Sequence, residues 1–437
     1  MSDYVLWMFP ALIILIFIGF PVAFAMMLTA LGFGLARFGD TLIYQFAQRV
    51  DDVATNYVLG AIPLFVFMGA ILERAGIAER LFDALYMWTR RLPGGLAVAA
   101  LLMCTIFAAA SGVVGATETL VGMLAIPAMM KRNYHPRLVS GTICGGGSLG
   151  TVIPPSIPVI VLAPMATLPI GDLMAGILVP GLMMSGLFIL YIIVSSVVRP
   201  DYAPRDDEVD PRSFGEKVVF TLTALVPPAF LIFTVLGTLF MGLATPTEAA
   251  ACGSFGVLVL AMIYRQLTWK ILFQAALQTI SLTAMILAIV LAGGMFSGVF
   301  FASGGMGAVQ GILRGYGLDA WSVIAIILFV AFLLGFIVDL ISVVLILIPI
   351  SLPLLRIYQV DPLWFSIVFL IMLQTSYLTP PMSPSIFYLK AIAPPDFKLT
   401  DMYRGVIPFI VCQLIVLGFV LAFPQLATWM PELLYGY

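Results

Sequence analysis

The stretch GGGSLGTVIPPSIP, residues 145–158, places two adjacent prolines inside a long apolar run. Adjacent prolines remove two backbone N–H donors and force extended backbone before them, so a helix that reaches them must break. The stretch YLTPPMSP, residues 377–384, has the same arrangement. The sequence therefore predicts two broken helices. The residues expected to break them are Pro154, Pro155, Pro380 and Pro381.

The two breaks belong to a longer repeat. Five prolines recur 226 residues further along the chain, which is unlikely by chance when only 29 of 437 residues are proline. The first set is Pro127, Pro136, Pro154, Pro155 and Pro158, and the second is Pro353, Pro362, Pro380, Pro381 and Pro384. We therefore predict a first repeat over residues 1–198 and a second over 218–437. The polar segment 199–217 is the predicted cytoplasmic linker between them.

Composition places these repeats in a membrane. Hydrophobic residues make up 62% of the chain and charged residues only 10%, with a mean hydropathy of +1.13. A soluble chain carries about 25% charged residues. The net charge of −2 gives no indication of nucleic acid binding, and a single histidine disfavours most histidine-based metal sites and catalytic triads. We expect an all-α polytopic membrane protein without enzyme activity.

Basic residues orient the helices. Arg90 and Arg91 precede the apolar segment 95–130, and Lys131 and Arg132 follow it. Positive clusters favour the cytoplasm, so both ends of this segment are predicted to be cytoplasmic and the segment to be a re-entrant hairpin. Counting onward, the segment 320–355 is a second hairpin that enters from the opposite side. Each hairpin is followed by a predicted broken helix, about 138–168 in the first half and about 362–392 in the second.

Inverted repeats with broken helices are typical of secondary transporters, which bind solute and ions near the membrane midplane where the repeats meet. At a break, freed carbonyl groups can bind a cation, and the N–H groups of the next half-helix can meet an anion. Ser148, Ser156 and Ser383 lie at the breaks and are candidate solute-binding residues. The sequence therefore predicts a transporter with its site between hairpins and breaks.

Two acidic residues fall in the predicted hairpin tips. Asp339 is a carboxylate within an apolar run, which is costly in a membrane and hence a functional candidate, and with Ser342 it could bind a hard cation through oxygen. For Glu118, in the first tip, the sequence supports two interpretations equally. It is either a functional intramembrane carboxylate or an acidic residue that stabilises a half-helix N-terminus.

Several stretches resemble the large membrane subunit of tripartite ATP-independent periplasmic (TRAP) transporters. The resemblance covers nearly the whole chain. The stretches that carry it are IPLFVFMGAILERAGIAERLFD (62–83), SGVVGATET (111–119), GGGSLGTVIPPSIP (145–158), GLATPTEAAA (242–251) and LTPPMSPSIFYLK (378–390).

The resemblance implies a sodium-driven uptake system of a bacterial inner membrane, in which a transport domain moves against a scaffold as an elevator. It also implies a small four-helix membrane subunit, a periplasmic solute-binding protein, and an organic acid such as a dicarboxylate or sialic acid as cargo. Sodium is expected between the hairpin tips and the broken helices. The matching positions are Ser111, Gly112, Thr117, Gly150, Thr151, Asp339, Ser342, Thr375, Thr379 and Met382, the last through its carbonyl. Val113 and Val114 stand where further serine is expected, which removes hydroxyl groups from the first tip.

Three alternatives remain open from the sequence. A stand-alone sodium/carboxylate or anion transporter of a related elevator type would need no partner chains. An intramembrane enzyme would need clustered nucleophile, base or metal-ligand residues, and Asp339 has no obvious partner carboxylate. A passive channel fits paired hairpins less well than alternating access does. No long hydrophilic segment is present, so we expect solute capture in the aqueous phase to fall to another chain.

Overall fold

The computed structural model describes residues 3–112, 114–204, 212–380, 383–395 and 397–436. Within these ranges all regular structure is helical. Eight helical segments of this part of the chain are long and apolar enough to cross a membrane, and several shorter apolar helices accompany them. The predicted all-α polytopic membrane fold is therefore confirmed.

Among the described residues, ten α-helices lie in the first half. They are α1 Met8–Ile18, α2 Val22–Phe38, α3 Leu42–Ala54, α4 Ala61–Arg74, α5 Ile77–Thr89, α6 Gly95–Ser111, α7 Ala116–Lys131, α8 Pro136–Ser148, α9 Ile157–Ala166 and α10 Ile170–Val198.

Ten more follow in the second half. They are α11 Phe214–Phe240, α12 Pro246–Ile263, α13 Trp269–Ala302, α14 Gly305–Gly315, α15 Ala320–Leu334, α16 Leu340–Ile357, α17 Pro362–Leu378, α18 Pro384–Ile392, α19 Leu399–Ala422 and α20 Gln425–Tyr435.

Three apolar runs divide where local chemistry interrupts the helix. The run 5–36 breaks at Gly19, which ends α1 in the left-handed conformation with φ of 108°, just before Pro21. The apolar run 57–89 is two helices because Gly76 adopts φ of 66° between α4 and α5. The run 404–430 likewise ends its long helix at Ala422, before Pro424. In each case glycine or proline sets the boundary.

Both predicted hairpins are helix–turn–helix units. Helices α6 and α7 are joined by a short turn after Ser111, and α15 and α16 are joined by the turn 335–339. Both predicted breaks are present as well. Helix α8 ends at Ser148, a 3₁₀ turn covers Leu149–Thr151, and α9 begins at Ile157, while α17 and α18 are separated after Leu378. Pro381 and Met382 lie outside the described residues.

The two halves follow the same order of hairpin, broken helix and long helix. Helix α8 begins at Pro136 and α17 at Pro362, which is the same 226-residue offset that separates the prolines. The long helices α10 and α19 each have an aspartate in the first turn. Helix α10 ends at Val198 and α11 begins at Phe214, on either side of the predicted linker, of which residues 205–211 lie outside the described ranges. The division at 199–217 stays a prediction.

Close helix packing holds the first broken helix against the second half. A side chain at Gly141 would collide with the carbonyl oxygen of Gly405, and one at Gly145 would collide with the Phe409 ring. Small residues let helix backbones approach closely in membranes, where van der Waals contact replaces the hydrophobic effect as the driving force. Helix α8 thus lies directly on α19, and this contact fixes the position of the first break relative to the second half.

Candidate functional site

The turn of the first hairpin lies directly on the first helix break. Gly112 ends α6 with φ of 61°, and a Cβ at this residue would collide with the carbonyl oxygen of Pro155. The backbone N–H of Ile157, where α9 begins, donates to the Gly112 carbonyl over 3.5 Å. Only glycine meets both requirements, a left-handed backbone and no side chain. This is a physical reason for the small residue that the sequence places there.

Hydroxyl groups surround this first junction. The Ser111 Oγ lies 3.4 Å from the Thr117 Oγ1 across the hairpin turn, and it also donates to the Phe107 carbonyl over 2.9 Å. On the break, Thr151 donates to the Ser148 carbonyl and Ser156 donates to the Thr151 carbonyl. All of these side chains are buried. The structure thus places the predicted Ser111 and Thr117 together, with Gly150 and Thr151 on the adjoining break.

The second hairpin has a charged residue at its turn. Asp339 caps the N-terminus of α16: its carboxylate accepts from the Ser342 N–H over 3.1 Å and from the Ser342 Oγ over 2.5 Å. The end of α15, just before this turn, contacts helix α17, where the Ser376 Oγ donates to the Phe332 carbonyl over 2.8 Å. The predicted pair of Asp339 and Ser342 is therefore in direct contact, and its carboxylate is exposed to an internal cavity.

The second break carries further oxygen atoms. Thr375 and Thr379 donate to the carbonyls of Ile371 and Thr375, over 2.9 and 2.6 Å, which leaves hydroxyl lone pairs available. Ser383 donates to the Tyr377 carbonyl over 3.2 Å. The predicted ligand Met382 lies outside the described residues. Both junctions therefore present hydroxyl, carbonyl or carboxylate oxygen, the donor type that hard cations such as sodium prefer.

A buried amide and hydroxyl cluster joins the two breaks. The Nε2 atoms of Gln374 and Gln413 both donate to the Ser148 Oγ, over 3.1 and 3.2 Å, and Ser148 donates to the Gly145 carbonyl over 2.7 Å. All three side chains are fully buried. Ser148 and Gln374 are 226 residues apart, the offset that separates the predicted repeats. We did not identify either glutamine from the sequence, although a polar residue within an apolar span was the available signal.

A second polar link joins the first hairpin to the second break. Glu118 is fully buried, and its carboxylate accepts from the Ser385 Oγ over 2.7 Å and from the Tyr377 hydroxyl over 3.4 Å. Among the described residues, the side-chain partners of Glu118 lie on α17 and α18 and not on its own helix. Of the two sequence interpretations, the geometry favours the intramembrane carboxylate over the helix cap.

The two junctions enclose a central cavity of about 210 Å³. Three helices, α9, α16 and α18, present their N-terminal residues to it. The lining residues are Val66, Gly112, Val114, Ile157, Pro158, Leu282, Met285, Ile286, Gly335, Val338, Asp339, Leu340, Ile341, Tyr377, Pro384 and Tyr388. Ser148, Ser156 and Ser383, the predicted solute-binding residues, are buried behind this surface and are not among them.

The cavity combines features suited to a cation and an anion together. Helix N-termini carry partial positive charge, whereas Asp339 supplies a negative charge. Among the described residues, no group of three or more His, Cys, Asp or Glu side chains could hold a metal ion, so the oxygen donors are the hydroxyl and carbonyl groups with one carboxylate. Such a set fits a monovalent hard cation.

The chain matches one family over almost its whole length. Residues 9–426 match the family described as the tripartite ATP-independent periplasmic transporter, DctM component. Curated relatives agree. The C4-dicarboxylate TRAP transporter large permease protein DctM of Pseudomonas aeruginosa is 28% identical over 90% of this chain and 91% of its own length. The ectoine/5-hydroxyectoine large permease protein UehC of Ruegeria pomeroyi is 30% identical over 98% and 99%.

A third relative is the sialic acid TRAP transporter large permease protein SiaM of Vibrio cholerae, 27% identical over 97% of both chains. Solved structures share the fold. The YdaH transporter of Alcanivorax borkumensis has a TM-score of 0.63 at 18% identity, covering 90% of each chain. MtrF of Neisseria gonorrhoeae has a TM-score of 0.62 at 15% identity, covering 88% of this chain and 84% of its own. The chain is therefore a multi-pass inner-membrane protein and not an enzyme, and it belongs to the DctM family as the large permease subunit of a TRAP transporter.

Proposed function

We propose that this chain is the transport core of a sodium-driven uptake system for an organic acid. One observation carries the proposal: both hairpin turns and both helix breaks meet at a single cavity that Asp339 shares with three helix N-termini. In secondary transporters with inverted repeats, solute and coupling ion bind where such elements meet.

Electrostatics supports coupling between the two ions. None of the described residues that line the central cavity is lysine or arginine, and Asp339 contributes a negative charge. An organic anion that entered alone would meet only the partial charges of helix N-termini, and an uncompensated charge in a low-dielectric site is costly. Sodium bound at the junctions would supply the missing positive charge. Anion binding would then depend on sodium, which is what coupled transport requires.

The solute class follows from the family and from the cavity. The names of the relatives give a C4-dicarboxylate, ectoine and sialic acid as the solutes of those proteins. Each is a small molecule that carries at least one carboxylate. A cavity of about 210 Å³ with helix N-termini at its wall suits a small organic acid. We therefore propose an organic acid for this chain.

Alternating access by an elevator movement is the mechanism we propose. The hairpins and breaks are linked to one another by contacts between Gly112 and Pro155, between Ser376 and Phe332, and between Glu118 and Ser385. These contacts unite the four elements, so they would move together as one transport unit against the remaining helices. Sodium and solute would be carried with that unit.

Two partner chains complete the proposed system: a small four-helix membrane subunit and a periplasmic solute-binding protein. The exposed outer faces of the long helices, for example Phe230 and Phe233 on α11, are compatible with lipid or a second membrane chain. Solute capture in the periplasm would fall to the binding protein. The alternative hypothesis, a stand-alone transporter without partner chains, is tested by the reconstitution described next.

Reconstitution tests the proposal. Liposomes containing this chain and its small membrane subunit, supplied with the periplasmic binding protein, would be assayed for uptake of labelled succinate, sialic acid and ectoine. We expect uptake of one of these classes only under an inward sodium gradient, and not when potassium or choline replaces sodium. Uptake that is indifferent to sodium would contradict the coupling, and uptake without the binding protein would favour a stand-alone transporter.

A further inference from the structure

A second, larger cavity adjoins the central one. It has a volume of about 600 Å³, and we call it the vestibule. The residues that line it are Glu73, Arg74, Val114, Gly115, Ala116, Thr119, Leu120, Met123, Gln278, Ser281, Leu282 and Tyr388. Three of them, Val114, Leu282 and Tyr388, line the central cavity too. The two cavities are thus neighbours that share one wall.

The vestibule lies on the predicted cytoplasmic side of that wall. Helix α4 runs alongside α12, because Thr247 donates to the Tyr57 carbonyl near the start of both, and Gly76 lies beside Gln266 near the end of both. Helix α12 ends just before Arg265, which the distribution of basic residues places in the cytoplasm. Arg74, at the end of α4, therefore lies at the cytoplasmic end of the helix.

Tyr388 forms the partition between the cavities. Its ring lies over Gly115 in the turn of the first hairpin, where an added Cβ would lie 2.8 Å from the ring. Gly115 has φ of 78°. The aromatic ring therefore rests on the hairpin turn itself, and a solute that passes from the central cavity to the cytoplasm would move past this contact.

Arg74 is the single lysine or arginine among the described residues that line either cavity. Its Nη1 donates to the Ala70 carbonyl over 2.8 Å and lies 3.5 Å from the Glu73 carboxylate. These contacts involve only Nη1, whereas a guanidinium has five N–H donors in a fork that suits a carboxylate. The side chain is 29% exposed, so the group can be reached from the vestibule.

An arginine at a helix C-terminus is common without any ligand, because it interacts favourably with the helix dipole. A second observation sets Arg74 apart. Gln278 faces the same vestibule, and its Oε1 is buried without a hydrogen-bond partner in the described structure. A buried unpaired acceptor is costly, so a group that donates to it would be stabilised there. The vestibule thus offers a carboxylate-binding donor together with an unused acceptor.

We propose that the vestibule is a release subsite for the organic acid. Arg74 binds the carboxylate after it passes Tyr388, and Gln278 accepts a hydrogen bond from a hydroxyl or ammonium group on the same solute. This inference rests on the proposed function, since it assumes that an organic acid leaves the central cavity. It adds a site on the exit path that favours acids bearing a second, hydrogen-donating group.

The local charge can be measured without any transport. Ser281 lines the vestibule, so a Ser281→Cys variant in which the exposed Cys252 is replaced by alanine would report the potential there. The rate of modification by a negatively charged thiosulfonate is divided by the rate for a positively charged one. We expect Arg74→Gln to lower this ratio about fivefold, the order of magnitude for one unit charge within a Debye length. Arg74→Lys should preserve it.

Arg80→Gln is the matched control, because Arg80 belongs to the same helical region but stacks on Tyr264 and does not line the vestibule. Its ratio should match that of the parent variant. In inside-out vesicles, millimolar lactate should slow the modification of Ser281→Cys, and glycerol should not. An unchanged ratio in Arg74→Gln, or equal protection by lactate with and without Arg74, would overturn the subsite. Neither outcome depends on sodium-driven uptake, so the proposed function could fail or hold independently.

Discussion

The turns of the two hairpins occupy corresponding positions in the predicted repeats but differ in charge. The first turn presents neutral oxygen: the hydroxyls of Ser111 and Thr117 lie 3.4 Å apart above the break. The second turn presents the carboxylate of Asp339, held by Ser342 at the start of α16. Glu118, the acidic residue of the first hairpin, is directed away from its own turn into a buried contact with Ser385.

This difference indicates unequal roles for the two halves. A neutral site binds a cation through dipoles alone, whereas a carboxylate adds a full charge in a low-dielectric setting. The second turn should therefore dominate the affinity for sodium, and the first should adjust it. The backbones of the two turns differ as well. Gly112 is left-handed and lies against the Pro155 carbonyl group, whereas Gly335 has an ordinary backbone and lies against the Ser376 side chain.

The largest effect is expected from Asp339→Asn. Asparagine caps a helix nearly as well as aspartate, so α16 should persist while the charge is lost. Because a hydrogen bond or ligand bond to a charged group contributes about 1.5–3 kcal/mol, we expect the sodium concentration for half-maximal uptake to rise about 10- to 100-fold. Sodium-activation curves of uptake measure this.

Asp319→Asn is the matched control for that variant. Asp319 caps the preceding helix α15 through Ser322 in the same way as Asp339 caps α16, but it does not line the central cavity. Its sodium-activation curve should be that of the unmodified protein. Equal shifts in both variants would mean that Asp339 serves only as a helix cap, and the proposed asymmetry would be wrong.

Alanine at the two turn glycines tests the backbone contrast. Gly112→Ala places a side chain in the left-handed region, which costs about 1–2 kcal/mol, and against the Pro155 carbonyl as well. Gly335→Ala keeps an ordinary backbone with φ of −65°, and its new side chain meets the Ser376 side chain and no main-chain atom within 3 Å. We expect Gly112→Ala to lower the melting temperature in detergent more than Gly335→Ala does.

Two helical glycines serve as references for this pair. An added Cβ at Gly32 or Gly186 meets no atom within 4 Å, so alanine there should be neutral or slightly stabilising. A larger loss of melting temperature for Gly335→Ala than for Gly112→Ala would contradict this expectation.

The contact between Glu118 and Ser385 should couple the first hairpin to the second break. Hydrogen bonds between helices in membranes contribute about 0.6 kcal/mol on average and up to about 1.7 kcal/mol. We expect a coupling free energy in this range from a double-mutant cycle of Glu118→Gln and Ser385→Ala, measured by unfolding in detergent. The pair Glu118→Gln and Thr29→Ala, which shares no contact, should be additive. Additivity in the first pair would show that the bond does not connect the two halves.

The smallest effect concerns the neutral turn. Ser111→Ala removes one hydroxyl among several oxygen atoms, and a net contribution of about 1 kcal/mol corresponds to a roughly fivefold rise in the half-maximal sodium concentration. Ser140→Ala is matched to it, because Ser140 is also buried and donates to the carbonyl four residues earlier, over 2.7 Å. If both variants gave the same curve, Ser111 would have no part in sodium binding.

Much of the fold could be predicted because proline and glycine act locally. The double prolines predicted the breaks, and the 226-residue offset indicated that the two breaks correspond. The small residues of the first tip predicted the turn at Gly112. These features depend on backbone chemistry, which neighbouring residues determine. The helix boundaries at Gly76 and before Pro424 also result from glycine and proline.

Contacts between distant helices could not be predicted from the sequence. Ser385 reaches Glu118 across 267 positions, and Gln413 reaches Ser148 across 265, so nothing local indicates either pair. Both depend on which face of each helix is buried, which tertiary packing decides. The same reason explains the three serines predicted to bind solute. Ser148, Ser156 and Ser383 are correctly near the breaks, but their hydroxyls bond to neighbouring protein groups behind the cavity wall.

Sodium-dependent stabilisation of the purified chain tests the central claim most directly, because it needs neither partner chains nor a known solute. A cation that binds only the folded protein raises its melting temperature with concentration. We expect a rise with sodium chloride that choline chloride does not give, and we expect Asp339→Asn to remove most of the rise while Asp319→Asn preserves it. Equal stabilisation by sodium and choline in the unmodified protein would show that no specific sodium site is present.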